Sequence, residues 1–146
     1  MNITEDYVSY ETAKLLKEKG FIGDGDVGCK CGFYKQNKEY PNQINLVYDD
    51  LNNSELECNE CLRFTHQMAM KYLRKVYGLH ITIKPYITTE GIMFAFEIYN
   101  LEEDRFRFTL LESKAGFEKS EEAVDAAIKC CLTNLILNYY ENIERI

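Results

Sequence analysis

Between Leu79 and Leu110 apolar and polar residues alternate in three successive runs, and this pattern narrows the available folds more than any other feature of the chain. Leu79, Ile81 and Ile83 alternate with His80, Thr82 and Lys84. Ile92, Phe94, Phe96 and Ile98 alternate with Met93, Ala95, Glu97 and Tyr99. Phe106, Phe108 and Leu110 alternate with Arg105, Arg107 and Thr109. A period of two places one set of side chains on each face of a pleated strand, so one face is built for burial. The links Thr88-Thr89-Glu90-Gly91 and Leu101-Glu102-Glu103-Asp104 are too short for a parallel crossover. The expectation is an antiparallel meander near 79–86, 92–100 and 105–112, with Ile81, Ile83, Phe94, Phe96, Phe106 and Phe108 on its covered face.

Helical spacing flanks these runs. From Thr65, a residue suited to capping, Met68, Ala69, Tyr72, Leu73 and Val76 recur at helical intervals, and Gly78 follows the basic last turn of Arg74 and Lys75. A longer helix, 120–142, is expected from Ser120 as N-cap, Glu121 and Glu122 in the first turn, and the apolar face Val124, Ala127, Ile128, Cys131, Leu132, Leu135, Ile136 and Tyr139. That face is wide enough to cover a three-stranded sheet. An N-terminal helix from about Ser9 to Lys19 carries Ala13, Leu15 and Leu16 and stops at Gly20.

The stretch 23–61 breaks both patterns. Turn signals at Gly23-Asp24-Gly25-Asp26 and Asp49-Asp50-Leu51-Asn52-Asn53 bracket two short strand candidates, Gly32-Phe33-Tyr34 and Ile44-Asn45-Leu46-Val47-Tyr48. The stretch reads as a hairpin-like excursion with a cysteine pair at each side of its base, Cys29-Lys30-Cys31 and Cys58-Asn59-Glu60-Cys61. Zinc takes four soft ligands in a tetrahedron, and short-spaced cysteine pairs at the two ends of a loop supply two each. Cys29, Cys31, Cys58 and Cys61 are therefore the candidate metal ligands, with His66 as a substitute. Unliganded thiols and a redox dithiol stay open beside zinc. Cys130 and Cys131 are adjacent on a helix, point about a hundred degrees apart, and read as packing residues.

The segment Met1-Asn2-Ile3-Thr4-Glu5-Asp6 has neither the basic nor the apolar part of an export signal, which gives a cytoplasmic expectation, where thiols stay reduced. The net charge of −7 is spread over both halves, since residues 1–64 carry 12 acidic and 7 basic side chains and residues 65–146 carry 12 and 10. Neither half is basic, so a nucleic-acid backbone is a poor partner for this surface. The P-loop motif G-x-x-x-x-G-K-[ST] and the H-E-x-x-H zinc motif are absent from the sequence.

From Thr65 on, the order helix–strand–strand–strand–helix resembles the double-stranded-RNA-binding domain. In that family a basic motif opens the last helix and grips phosphates; here the matching stretch is Ser120-Glu121-Glu122-Ala123-Val124-Asp125, with the charge inverted. A second resemblance runs through three segments: residues 7–21, Tyr7-Val8-Ser9-Tyr10-Glu11-Thr12-Ala13 through Gly20-Phe21; residues 65–76, Thr65-His66-Gln67-Met68-Ala69 through Val76; and residues 121–132, Glu121-Glu122-Ala123-Val124-Asp125 through Leu132. These are similar to small uncharacterised proteins encoded by phages and prophages of Bacteroides-type gut bacteria. The resemblance implies a phage or prophage origin and assigns no residue a role.

The reading is a single α+β domain over 1–146: a three-stranded antiparallel sheet packed by two helices in α-β-β-β-α order, with an N-terminal helix and the Cys-bearing excursion 23–61 added. The expected function is a non-enzymatic phage- or prophage-derived accessory protein that binds another protein, with no catalytic residue assigned and no membrane partner. A small zinc- or thiol-dependent enzyme and a nucleic-acid-binding module are the alternatives.

Overall fold

The computed structural model describes residues 6–21, 32–47, 56–100, 108–113 and 116–136. The chain is α+β and falls into two compact units, Met1–Ala69 and Met70–Ile146.

In the first unit, α1 (Tyr10–Glu18) starts at Ser9, whose hydroxyl accepts from the Thr12 N–H at 3.3 Å. It stops where Gly20 takes a φ of +82°, with Gly20 N–H donating to the Lys17 carbonyl and Phe21 N–H to that of Leu16. This is the paired C-terminal closure that a left-handed glycine permits. Phe21 then lies against Phe64, ring centroids 4.4 Å apart. The expected hairpin is present: β1 (Phe33–Gln36) pairs antiparallel with β2 (Ile44–Val47), Phe33 opposite Val47. A third strand, β3 (Glu60–Leu62), pairs with the other edge of β1, giving the order β2-β1-β3. The sequence hides β3 because all three of its residues are buried, so there is no alternation to read. Val8, Ala13, Leu16, Phe33, Cys61, Leu62 and Phe64 make this unit's core.

Helix α2 (His66–Tyr77) is capped by Thr65, whose hydroxyl accepts from the Met68 N–H at 3.2 Å. Its apolar stripe is only partly covered. Ala69 and Leu73 are fully buried, whereas Val76, on the same side in the final turn, is 59% exposed.

The second unit holds the meander. Strands β4 (Leu79–Thr88), β5 (Gly91–Asn100) and β6 (Phe108–Glu112) lie in that order, all antiparallel. Ile81 sits opposite Ile98 and Ile83 opposite Phe96. Leu79, Ile81, Phe96 and Ile98 are buried, and Ile83 and Phe94 half-buried, so the expected face is the covered one. Phe106 lies outside the described residues, as does the side chain of Phe108. The β5–β6 register steps by one residue between Ile98 and Tyr99, a bulge at Leu110 that no sequence signal announces. Beyond β6, Phe117 exchanges two 2.8 Å backbone hydrogen bonds with Phe94 and stacks on Phe96.

Helix α3 (Ser120–Cys130) packs on β4 and β5 through Ala123, Ala127 and Ile128. Its cap corrects the sequence reading. Lys119 is the N-cap, with no side-chain cap bond, and Ser120 is the first helical residue, its hydroxyl turned to Glu121. The helix continues as a π-helical turn, Cys131–Leu135, closed by Ile136 N–H on the Cys131 carbonyl. There the Thr133 hydroxyl donates to the Lys129 carbonyl at 2.9 Å, occupying the acceptor an α-helical Thr133 N–H would use. Cys131 and Leu132 are fully buried, in keeping with a packing role. The expected extension to 142 lies outside the described residues past Ile136.

Candidate functional site

Of the four candidate metal ligands, Cys29 and Cys31 lie outside the described residues. The other pair occupies a turn fixed from three sides. Glu60 N–H donates to the Glu57 carbonyl at 3.1 Å, and the Glu60 carboxylate accepts from the Glu57 N–H at 2.9 Å. Lys17, reaching over from α1, donates to the Glu57 and Glu60 carbonyls at 2.8 and 2.6 Å. On the third side the Asn59 amide donates to the Gln36 carbonyl, and Gln36 N–H donates to the Asn59 carbonyl. The turn separates its two thiols: Cys58 is exposed, while Cys61 is 3% exposed and faces Tyr34 across β1–β3.

Burial pushes the Cys61 thiol up to about 11, against the smaller opposite pull of Lys17 and Lys14. A thiol held protonated at neutral pH is a poor nucleophile, and a metal would have to displace its proton on binding. His66, the substitute ligand, is buried at the start of α2, its backbone N–H donating to the Asp6 carbonyl. Among the described residues no group of three or more His, Cys, Asp or Glu side chains is arranged to hold a metal ion.

The outer face of the meander carries a polar clamp. Lys84 Nζ lies 2.6 Å from Glu97 Oε1, and the Tyr99 hydroxyl donates to Glu97 Oε2. The hydrogen bond from Lys84, then that from Tyr99, holds the Glu97 carboxyl below its ordinary range. This ties β4 to β5 on the side opposite α3. The Glu97 carboxylate is shared between a cation from β4 and a hydroxyl on its own strand, which fits a structural tie.

The sequence reading missed the end of the β4–β5 hairpin. Both strands run further than expected, to Thr88 and from Gly91, around the two-residue turn Thr89-Glu90. Thr88 Oγ1 stabilises the turn by donating to the Gly91 carbonyl at 2.9 Å and accepting from Glu90 N–H at 3.2 Å. This extension sets Ile87 directly opposite Ile92. They belong to the same face as Ile81, Ile83, Phe94 and Phe96, yet Ile87 is 87% exposed and Ile92 61%. Burial on this face therefore falls steadily from base to tip: Ile81 and Ile98 are covered, Ile83 and Phe94 half-covered, Pro85, Ile87 and Ile92 bare. Tyr86, on the other face, is 41% exposed. A signal was available: the alternation continues through Pro85 and Ile87 up to the turn, and Ile92 follows it at once.

Pro85 marks β4 as an edge strand. Phe94, its partner, spends its N–H and C=O on Phe117, on the other side of β5. By the alternation of antiparallel pairs, Pro85 is then at a position whose backbone groups point away from β5, where its missing N–H breaks no ladder bond.

No protein-family model, curated protein or solved structure matches the chain. No helix among the described residues is long and apolar enough to cross a membrane.

Proposed function

We propose that the chain is a non-enzymatic accessory protein, of phage or prophage origin as its helical segments suggest, that works by docking another protein through the tip of its β4–β5 hairpin. The observation that carries the reading is the bare Ile87–Ile92 pair. Two facing β-branched side chains, one 87% and one 61% exposed, end a face whose remainder is core. Single exposed apolar residues are ordinary; a contiguous set that continues a core face marks an interaction site. The burial of the Cys61 thiol counts against a thiol enzyme at the position the sequence offered.

A photo-crosslinking residue at position 87 tests the reading in an extract of the source cells, with the same residue at exposed Glu39 as control. A discrete adduct at 87 that is absent at 39, and that disappears with Ile92→Ser while the melting curve is kept, supports it. Adducts that do not depend on position overturn it.

A further inference from the structure

We infer that the occupant of this tip is a basic amphipathic helix of the partner, laid on the bare face of Pro85, Ile87 and Ile92; the inference rests on the docking reading above and adds the chemistry of the partner. Three observations lead to it.

The first concerns the mode of contact. An extended segment joining β4 at its free edge would need the outward N–H that Pro85 lacks, so strand addition is disfavoured where the edge is most exposed. The face, in contrast, is the same surface that α3 covers nearer the base of the sheet. Phe117 pairs with Phe94 just before α3 begins, so the helix starts beside the bare zone and runs over the covered one. Ahead of its N-terminus the sheet offers an exposed apolar floor, Pro85, Ile87 and Ile92, of the kind on which a second helix packs.

The second concerns size. Two isoleucines and a proline offer a few hundred Å² at most. Each copy in a stable dimer of standard size contributes ~800 Å². The patch alone is too small for a second copy of this chain and suits one short apolar stripe.

The third concerns charge. Glu90 stands in the turn, and Glu118, Glu121 and Glu122 surround the start of α3. Among the described residues the nearby cations are Lys119 and Lys84, and Lys84 is already committed to Glu97 at 2.6 Å. The rim is acidic on a chain of net charge −7, so a ligand helix with Lys or Arg beside its apolar stripe is favoured over an acidic one.

Titration of the isotope-labelled full chain with three synthetic peptides tests this. One is a Leu/Lys peptide with helical periodicity, one a Leu/Glu peptide of the same pattern, and one a Leu/Lys peptide scrambled to remove the periodicity. The expected result is binding of the first, with amide shifts centred on Ile87, Gly91 and Ile92 and an affinity that drops with added salt. Ile87→Ser with Ile92→Ser should weaken it by about tenfold or more. Glu118→Gln with Glu122→Gln should weaken it less and flatten its salt dependence. Equal binding of the scrambled peptide, or shifts centred elsewhere, overturns the inference. Equal binding of the Leu/Glu peptide at the tip, lost in the serine variant, overturns the basic partner and leaves the docking surface standing. If no peptide reaches the tip, the inference fails, and position-specific crosslinking at 87 alone decides the docking reading.

Discussion

The Tyr86 hydroxyl fills the space in which any side chain on Gly116 would begin, and Met93 Cβ lies 3.2 Å from the same point. Tyr86 thereby braces the exposed hairpin against the segment that leads into α3. Gly116→Ala should push the ring aside and lower stability by about 1 kcal/mol, a modest amount because the obstructing atom ends a 41%-exposed side chain that can swing outward. In a Tyr86→Ala background the same substitution should cost close to nothing. Thermal melts of the four proteins measure the coupling, and equal costs in both backgrounds would refute the brace.

The clamp on the outer face predicts a pH dependence. Glu97 is held below its ordinary value of 4.5, so its contribution is present above that value and is lost as pH falls through the lower folded one. Lys84 is held above its ordinary 10.5, so its contribution is present below that value and is lost as pH rises through the higher folded one. Glu97→Gln should reduce stability at neutral pH and make the acid side of the profile shallower than that of the parent. Denaturant melts at neutral pH and near pH 3 check this; parallel losses at both would contradict it.

Lys17 joins α1 to the cysteine-bearing turn by two short hydrogen bonds to carbonyls. A hydrogen bond to a charged group contributes ~1.5–3 kcal/mol where it is sheltered, and these bonds are part-buried to exposed. Lys17→Met keeps the side-chain stem and removes both bonds, so a loss of about 1–2 kcal/mol is expected. Faster amide exchange at Glu57 and Glu60, with β4 and β5 unchanged, would locate the loss. A uniform change across the whole chain would not fit.

What the sequence made legible follows from how each element is stabilised. The meander and α2 rest on periodic burial, and Ile81, Phe96 and Ile98 fall where the alternation puts them. Strand β3 escaped because Glu60, Cys61 and Leu62 are all buried, so its place is set by pairing with β1, a tertiary fact. The cap of α3 moved by one residue because Lys119 already has the extended backbone that a cap needs, and Ser120 spends its hydroxyl on Glu121. The proposed docking surface escaped for a different reason. Ile87 and Ile92 obey the core pattern perfectly, and nothing in a period of two tells a covered position from one that the covering helix does not reach.

The cysteines give the last prediction. Among the described thiols, Cys58 is exposed, Cys61 is pushed up to about 11 by burial, and Cys131 is pushed up to about 12 by burial and by neighbouring Cys130. Alkylation of the native protein near pH 8, followed by mass spectrometry, should therefore label Cys58 quickly and Cys61 and Cys131 only on unfolding. The zinc proposal alters this order in a defined way. If Cys29, Cys31, Cys58 and Cys61 hold one ion, Cys58 in protein purified without chelator should resist alkylation and become reactive when a chelator is added. The metal released should equal the protein in amount, because four thiolates complete a single tetrahedral site. Since Cys61 must lose its proton to bind, retention of zinc should also weaken steeply as pH falls, more so than for a pair of exposed cysteines. Rapid labelling of Cys58 before any chelator, with no metal in the sample, would remove zinc from that turn and leave Cys58-Asn59-Glu60-Cys61 as a structural corner held by Lys17.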